Sequence, residues 1–575
     1  MLARAAAALS FRPDDSGRWH ARWRAALVVG LVGVLSACSS LPPNTEREAS
    51  QALPAGGTTL AATTTALRPQ PPTRRNASGM RLLGKSETAY GSRLALIAAA
   101  EKTLDLQYYS IHYDSSTEAL LERLREAAAR GVRVRILLDD FNSAGQNARV
   151  LMLDEVPGIQ VRLFNPLFGP RGSQAGRLVS SLFDFGRIQQ RMHNKLFIAD
   201  NALAVTGGRN LGDEYFGQSD KSNFLDLDVL VAGSLVQDLS QSFDRYWNDD
   251  LAYPVATILT RAERDRLRPR AQDAAAAQQK RNEADLPVAA AVAAAAATTP
   301  AEASGGGPNS ASPPAPTART VPGADDIARQ ITEGRLELVW APAVLLADKP
   351  SKIDPEDSEQ DPADADGTVV DDLVHLLGRT RQDLLIVSPY FVPGEAMMKA
   401  FTDLRQRGVR VRVMTNSLAS NDAPLAHVGY ARYRKALLRA GVELYELQAQ
   451  GDTRRRIFGS APQSRSSLHA KALVMDGRLL VVGSMNLDLR SALQNTELGL
   501  VIRSQVLSKE LTDNLELAMG DSYRVELTPE GALRWHAPTH DTARAGQVYD
   551  SEPEAGVGLR IMLKLVGPFA PEEML

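Results

Sequence analysis

His193-Asn194-Lys195-Leu196-Phe197-Ile198-Ala199-Asp200 is matched further along the chain by His469-Ala470-Lys471-Ala472-Leu473-Val474-Met475-Asp476. Six residues later each stretch reaches a small-residue turn, Gly207-Gly208-Arg209-Asn210 in the first copy and Gly483-Ser484-Met485-Asn486 in the second. A lone His-x-Lys carries little information, whereas an extended pattern repeated at one spacing marks an internal duplication. In an extended segment residues i and i+2 point to the same side, so His193 projects with Lys195, and His469 with Lys471. Leu196 and Ile198 alternate with Phe197 and Ala199, which gives the strand two buried faces and sets the polar pair at a cleft edge.

The duplication extends upstream. Leu104-Asp105-Leu106-Gln107-Tyr108-Tyr109 leads through a helical stretch to Gly131-Val132-Arg133-Val134-Arg135-Ile136. In the second copy, Leu384-Leu385-Ile386-Val387-Ser388-Pro389-Tyr390 leads to Gly408-Val409-Arg410-Val411-Arg412-Val413. Between them Leu120, Leu121, Leu124 and Ala128, or Met397, Phe401 and Leu404, recur at helical spacing, and each helix runs into a glycine stop. Strand, helix, strand is a βαβ unit with parallel pairing. The interval from the repeat glycine to the histidine is nearly the same in both copies. The predicted fold is therefore α/β: two βαβ-rich halves, 79–255 and 326–520, related by a pseudo-twofold axis with one shared active site between them.

Around these halves the composition shifts. Arg18, Arg22 and Arg24 precede an apolar stretch, Ala25–Ala37, which is shorter than the roughly 20 residues of a membrane span and ends in Leu35-Ser36-Ala37-Cys38. A basic region, a short apolar run and small residues before a cleavage point make a secretory signal, and the unique cysteine, Cys38, reads as the lipidated first residue of the mature chain. Residues 1–38 are thus a signal peptide with a lipobox, and 39–78 a flexible tether rich in Thr, Ala and Pro. The chain is expected in a bacterial envelope, anchored through Cys38, facing the periplasm, with Ser39 compatible with the outer membrane. Residues 271–322 combine alanine runs with Gly, Pro and Ser and read as a disordered linker; 354–366 is an acidic loop and 521–575 a C-terminal tail. The 575 residues carry 65 basic and 68 acidic side chains, a balance that argues against a dedicated nucleic-acid binder. One cysteine excludes an intrachain disulfide and a cysteine metal cluster.

The repeated residues suit phosphodiester chemistry. If the halves pack about a pseudo-twofold axis, two ammonium groups, Asn210, Asn486 and the Ser484 hydroxyl surround one position, where they would bind a phosphodiester and stabilise charge on its equatorial oxygens. One imidazole attacks phosphorus to form a phosphohistidine. The other protonates the departing alkoxide, then deprotonates the incoming alcohol or water. A nucleophilic imidazole needs an orienting partner on its second nitrogen. Glu497 lies on the strand after the second turn, and Asp228 (or Asp226) holds the matching place in the first copy. The motif residues His193, Lys195, Asp200, His469, Lys471 and Asp476 form the catalytic set, within which Asp200 and Asp476 read as loop holders. The sequence lacks HExxH, CxxC and Walker-type signatures, so neither metal nor cofactor is expected.

Both copies fit the HxKxxxxD signature of the phospholipase D superfamily, which the chain resembles over nearly all of its mature length. Gly207–Phe216, Pro389-Tyr390-Phe391-Val392-Pro393 and the stretch Thr415-Asn416-Ser417 through His427–Tyr430 to Tyr445-Glu446-Leu447 resemble the bacterial cardiolipin synthase branch, most of all its C type. The resemblance implies phosphatidyl transfer from one phospholipid to the free hydroxyl of phosphatidylglycerol, with hydrolysis to phosphatidic acid as the alternative, and a nuclease or a lipid-binding pseudoenzyme further behind. The expected partners are phospholipid substrates and a membrane surface, without nucleic acid, on a monomeric chain. Basic and apolar stretches before each histidine are candidate lipid entrances: Phe164, Phe168, Arg171, Arg177, Phe183, Phe185, Arg187 and Arg191 in the first half, Arg454–Phe458 in the second. His427 and Tyr430 are read as packing or helix surface.

Overall fold

The computed structural model describes residues 41–45, 47–73, 77–169, 171, 185–268, 324–353, 367–450, 465–539 and 544–567. The chain divides at Thr45, and the unit Glu46–Leu575 holds both repeats. Cys38, the linker 271–322, Arg177, Phe183 and Arg454–Phe458 lie outside the described residues.

The first repeat supplies β1 (Ser78–Leu83), β2 (Thr103–Tyr108), β3 (Arg133–Asp139), β4 (Ile159–Phe164), β5 (Arg191–Met192), β6 (Leu196–Ala199), β7 (Leu203–Gly207), β8 (Ser222–Leu225), β9 (Asp228–Gly233) and β10 (Ala252–Pro254). Next come β11 (Val339–Ala341), β12 (Ala343–Ala347), β13 (Asp383–Val387), β14 (Arg410–Asn416), β15 (Glu443–Leu447), β16 (Arg465–Leu468), β17 (Ala472–Met475), β18 (Leu479–Gly483), β19 (Asn495–Thr496) and β20 (Leu498–Arg503). They are followed by β21 (Tyr523–Leu527), β22 (Leu533–His536) and β23 (Val548–Tyr549).

Two large sheets result, β10-β4-β3-β2-β6-β7-β9-β1-β11 and β12-β20-β18-β17-β13-β14-β15-β21-β22-β23. Read in opposite directions, they share one order from β10 or β21 to β1 or β12, which is the duplication in three dimensions. The registers agree too: Leu104 faces Ala199 in the first sheet as Leu384 faces Met475 in the second. The predicted βαβ units are present, with β2 parallel to β3 and β13 parallel to β14. Helix Ser115–Ala129 begins on the Asp114 carboxylate, which accepts the Thr117 N–H, and buries Leu120, Leu121 and Leu124. It stops before Gly131, whose φ of +93° suits glycine. Helix Gly394–Gln406 buries Met397, Phe401 and Leu404 in the same way.

The alternation in the histidine strand sorts as expected. Phe197 and Ala199 join the core on the outer face of the first sheet. Leu196 and Ile198 join a central core that also contains Val474, Val482 and Leu500 of the second repeat. Helices Ser234–Trp247 and Gln505–Gly520 contribute Phe243, Trp247, Leu511 and Leu515 to that shared core, and truncating such a buried aromatic to alanine costs about 3–5 kcal/mol. The halves are therefore one folded body joined by an apolar interior.

Three boundaries differ from the sequence reading. The tether prediction over 39–78 gives way, within 47–73, to packed structure: helix Thr59–Leu67 buries Leu60 and Ala61 against the first core. The Ser50 carbonyl accepts from Arg135 and Asn248. Alanine- and threonine-rich composition matches a tether, but two well-placed apolar residues suffice to dock a short helix. Second, residues 326–341 do not open the second repeat: β11 adds to the edge of β1 in the first sheet, and the second sheet begins at β12. Third, the C-terminal tail extends the second sheet through β21, β22 and β23. None of the described helices is long and apolar enough to cross a membrane.

Candidate active site

Both motif histidines stand where a strand crosses between repeats. β16 runs parallel to β8, pairing Leu468 with Leu225, and β19 runs parallel to β5, pairing Thr496 with Met192. The His469 N–H donates to the Leu225 carbonyl at 2.8 Å, and the His193 N–H to the Thr496 carbonyl at 2.9 Å. Each histidine is thus fixed by the other half's backbone. Each lysine folds back onto its own strand: Lys195 Nζ donates to the His193 carbonyl and Lys471 Nζ to the His469 carbonyl, both at 2.6 Å.

The same exchange governs the carboxylates. His193 Nδ1 lies 3.0 Å from both Glu497 oxygens, and His469 Nδ1 lies 2.6 Å from Asp226 Oδ2. An ionised carboxylate only accepts, so each Nδ1 carries the proton and each Nε2 keeps its lone pair for chemistry. Glu497 is itself held: it accepts from the Ser484 hydroxyl and from Ser491 Oγ at 2.9 Å, and its N–H donates to Asp348 at 2.9 Å. Asp226 comes close because position 208 is glycine: a Cβ there would stand 2.1 Å from Asp226 Oδ1.

Asp228, favoured from the sequence as the orienting partner in the first half, does a different job. Its carboxylate lies 3.0 Å from Arg93 Nη2 and 3.5 Å from Arg209 Nη1. Both guanidiniums are buried, and each would be an uncompensated charge without it. Asp226, the second choice, faces the imidazole. Asp200 and Asp476 stand beyond the lysines at the far ends of β6 and β17, about 16 Å along an extended chain. There Asp200 accepts the N–H groups of Glu101, Lys102 and Thr103, and Asp476 those of Arg381, Gln382 and Asp383. These two motif aspartates staple turns and do not join the cluster at the imidazoles.

Burial sets the electrostatics. It lowers His193 to about 4 against the opposing pull of Glu497, with Lys195 adding to the drop, and it lowers His469 as well. Burial also brings Lys195 down to about 7, reinforced by Lys471, while Glu497 and Asp226 resist; Lys471 is lowered by burial too. Burial alone would raise Glu497 and Asp226, but the facing histidines and lysines outweigh it and hold both low. Two ammonium groups already balance two carboxylates, so the imidazoles are neutral in the open site. An arriving anion adds the negative charge that keeps both lysines protonated.

Of the predicted phosphate contacts, Asn486 is buried with its Oδ1 unpartnered among the described residues. Asn210 is engaged by the Ser110 N–H and the Tyr215 hydroxyl, and Ser484 by Glu497. Aromatic rings wall the imidazoles: Tyr109 meets His193 edge-on at 5.1 Å, while Tyr215 and Phe224 flank His469 at 5.3 and 4.9 Å. Sequence reasoning missed these walls and the supports Asp348 and Ser491: Tyr109 and Tyr215 lie inside stretches already quoted, but nothing in those stretches aims them at an imidazole, and Phe224, Asp348 and Ser491 lie outside the repeated pattern. Asp139 and Asn416 were also missed. They occupy matching positions and bind the N–H of Met192 and Leu468, immediately before the histidines. Several proposed entrance residues are scaffold: Phe164 lies in the core, Arg171 pairs with Asp140 and Arg191 with Asp139. His427 is packed, as read from the sequence, with Nε2 between Glu552 and Arg434.

Comparison with known proteins agrees with this architecture. Residues 94–247 and 373–518 match the family described as cardiolipin synthase, PLD-like domain. The chain is 33% identical over 506 residues to cardiolipin synthase C of Escherichia coli, covering 86% of this chain and 96% of that protein. It is 32% identical to an uncharacterized protein of Helicobacter pylori, over 77% of this chain and 79% of the relative. Among solved structures, phosphatidylserine synthase of Haemophilus influenzae aligns over 89% of this chain and 97% of its own, at 13% identity and a TM-score of 0.49. With the family matched once on each repeat and a relative similar along most of its length, the chain belongs to the cardiolipin synthase family of the phospholipase D superfamily.

Proposed function

We propose that the protein is a phosphatidyl transferase that makes cardiolipin from phosphatidylglycerol and a second phospholipid through a phosphohistidine. The carrying observation is the crossed pair of imidazole–carboxylate contacts, which leaves two Nε2 atoms, one from each repeat, for one phosphodiester. In the first step one Nε2 forms a bond to phosphorus, the bond from phosphorus to the headgroup oxygen breaks, and the other imidazole, which takes a proton from water onto Nε2 as the anionic phosphodiester binds, gives that proton to the leaving oxygen. In the second step the now neutral imidazole takes the proton of a phosphatidylglycerol hydroxyl, whose oxygen displaces the histidine from phosphorus. Lys195, Lys471 and Asn486 hold the phosphoryl oxygens as charge spreads over them. The similarity to cardiolipin synthase C supports a lipid acceptor. Water in the second step would give phosphatidic acid from the same residues, and the aromatic walls around both imidazoles favour a site that excludes it.

Purified protein incubated with phosphatidylglycerol, with and without phosphatidylethanolamine, tests the reading by mass spectrometry of the lipids. Cardiolipin is expected; phosphatidic acid as the main product would make the protein a hydrolase. We further propose attachment to the cell envelope through lipidated Cys38, which incorporation of labelled fatty acid into the wild type but not into Cys38→Ser would support.

A further inference from the structure

The segment after β23 was predicted only as a tail, yet it ends in helix Val557–Val566, whose sequence is Val-Gly-Leu-Arg-Ile-Met-Leu-Lys-Leu-Val. Apart from Arg560 and Lys564 its side chains are apolar around most of the helix, more than one packed face needs. Leu559 and Leu563 account for one side, packing with Leu418, Val428 and Ala555. The other side is bare: Val557, Ile561, Met562 and Leu565 are 63%, 54%, 45% and 67% exposed. Leu425, one helical turn before Val428, extends the patch at 49%. The helix carries Arg560 and Lys564 and no acidic residue. Arg432, on the helix Pro424–Arg439 that also carries Leu425 and Val428, reaches the Gly567 carbonyl.

Its position ties it to the active site. Leu418 lies two residues beyond Asn416, whose side chain both donates to and accepts from Leu468, the neighbour of His469. Glu554 accepts the Ala449 N–H two residues beyond β15, and the Ala449 carbonyl accepts from the Ser466 N–H in the strand leading to His469. The C-terminal segment is thus packed onto the elements that frame the second histidine.

We propose that helix Val557–Val566 docks this end of the active site onto an anionic phospholipid surface, its bare face entering the interface and Arg560 meeting the headgroups. Large apolar side chains beside Lys and Arg on one short helix are the chemistry of interfacial binding. The inference goes beyond the reaction, since cardiolipin or phosphatidic acid as product leaves it unaffected.

The test uses the full chain carrying Cys38→Ser, which removes the sole native cysteine, with Met562→Cys bearing an environment-sensitive fluorophore. Vesicles of phosphatidylglycerol and phosphatidylethanolamine should raise the emission several-fold with a blue shift, quenched by spin labels on the acyl chains. The same fluorophore at Leu517→Cys, exposed on helix Gln505–Gly520, should not respond. Adding Ile561→Ser and Leu565→Ser should weaken the vesicle response at least tenfold; should that variant fail to fold, the singly labelled chain still decides. No response to vesicles overturns the proposal. An equal response to zwitterionic vesicles overturns the electrostatic part, and a concentration-dependent response without lipid assigns the face to a second copy of the chain.

Discussion

Around His193 the orienting carboxylate is a glutamate, braced by Ser484 and Ser491; around His469 it is an aspartate, with Gly208 where the other half has Ser484. The backbone frame is the same: strand order, register, lysine-to-carbonyl bonds and the aspartate staples all repeat. What has diverged is the shell behind each imidazole. A long carboxylate takes a hydroxyl to fix it, whereas a short one takes an empty space to reach its histidine. Duplication supplied the geometry, and the two halves then solved the placement of one negative charge differently.

The largest effect that could break this pairing comes from the histidines. His193→Ala and His469→Ala should each lower cardiolipin formation by on the order of 10⁴-fold or more, because each serves its own proton or bond-forming role. Substantial turnover in either single variant would mean that the halves act separately. Next come the carboxylates. Asp226→Asn and Glu497→Gln keep shape but lose the charge that holds the Nδ1 proton, and each should lower kcat by about 10²–10⁴-fold. Asp228→Asn separates the roles: it should lower the melting temperature through Arg93 and Arg209 while leaving the pH profile of residual activity unchanged. A profile shift in Asp228→Asn as large as in Asp226→Asn would undo the assignment.

The diverged shells give a sharper comparison. Gly208→Ala places a methyl carbon 2.1 Å from Asp226 Oδ1, so the carboxylate must move. A misplacement near 1 Å costs about 10²-fold in rate. Ser484→Ala removes one hydrogen bond to a charged group, worth about 1.5–3 kcal/mol, and Ser491 still holds Glu497. Rate measurements should therefore show Gly208→Ala as the more damaging change, and the reverse order would mean that Asp226 relaxes freely. The pH dependence is smaller still. Lys195, brought by burial to about 7, is charged below that value and neutral above it, and anion binding needs the charge. The free-enzyme quantity kcat/KM should fall as pH rises through about 7, with kcat flatter because bound phosphodiester raises the lysine again. A kcat/KM independent of pH between roughly 6 and 9 would show a permanently charged Lys195.

The duplicated frame was legible because its signal is periodic: Leu196 and Ile198 against Phe197 and Ala199, and helices ending at Gly131 and Gly408. The choice between Asp226 and Asp228 was not, because both lie near the start of one strand. Only the positions of buried Arg93 and Arg209, far apart in sequence, decide which carboxylate is left for His469. The crossing of carboxylates between repeats is likewise a property of β5–β19 and β8–β16 pairing, and no spacing within either copy encodes it. The docked helix Thr59–Leu67 and the edge strand β11 were hidden by composition, since a few contacts outweigh an alanine-rich or linker-like context.

The motif aspartates give the smallest and most symmetric comparison. Asp200 and Asp476 each gather three consecutive N–H groups, but Asp200 is buried, whereas two of the three N–H contacts of Asp476, from Arg381 and Gln382, are open to solvent. Water can replace a lost acceptor more fully in the second case than in the first, where the Thr103 N–H would be left buried and unsatisfied. Asp200→Ala should therefore cost about 2–3 kcal/mol of stability and Asp476→Ala about 1 kcal/mol, read by urea unfolding with unchanged slope. Activity per folded molecule should stay near wild type in both, since neither carboxylate reaches the imidazoles. A loss of turnover in a fully folded Asp200→Ala would return the aspartate of the motif to the chemistry.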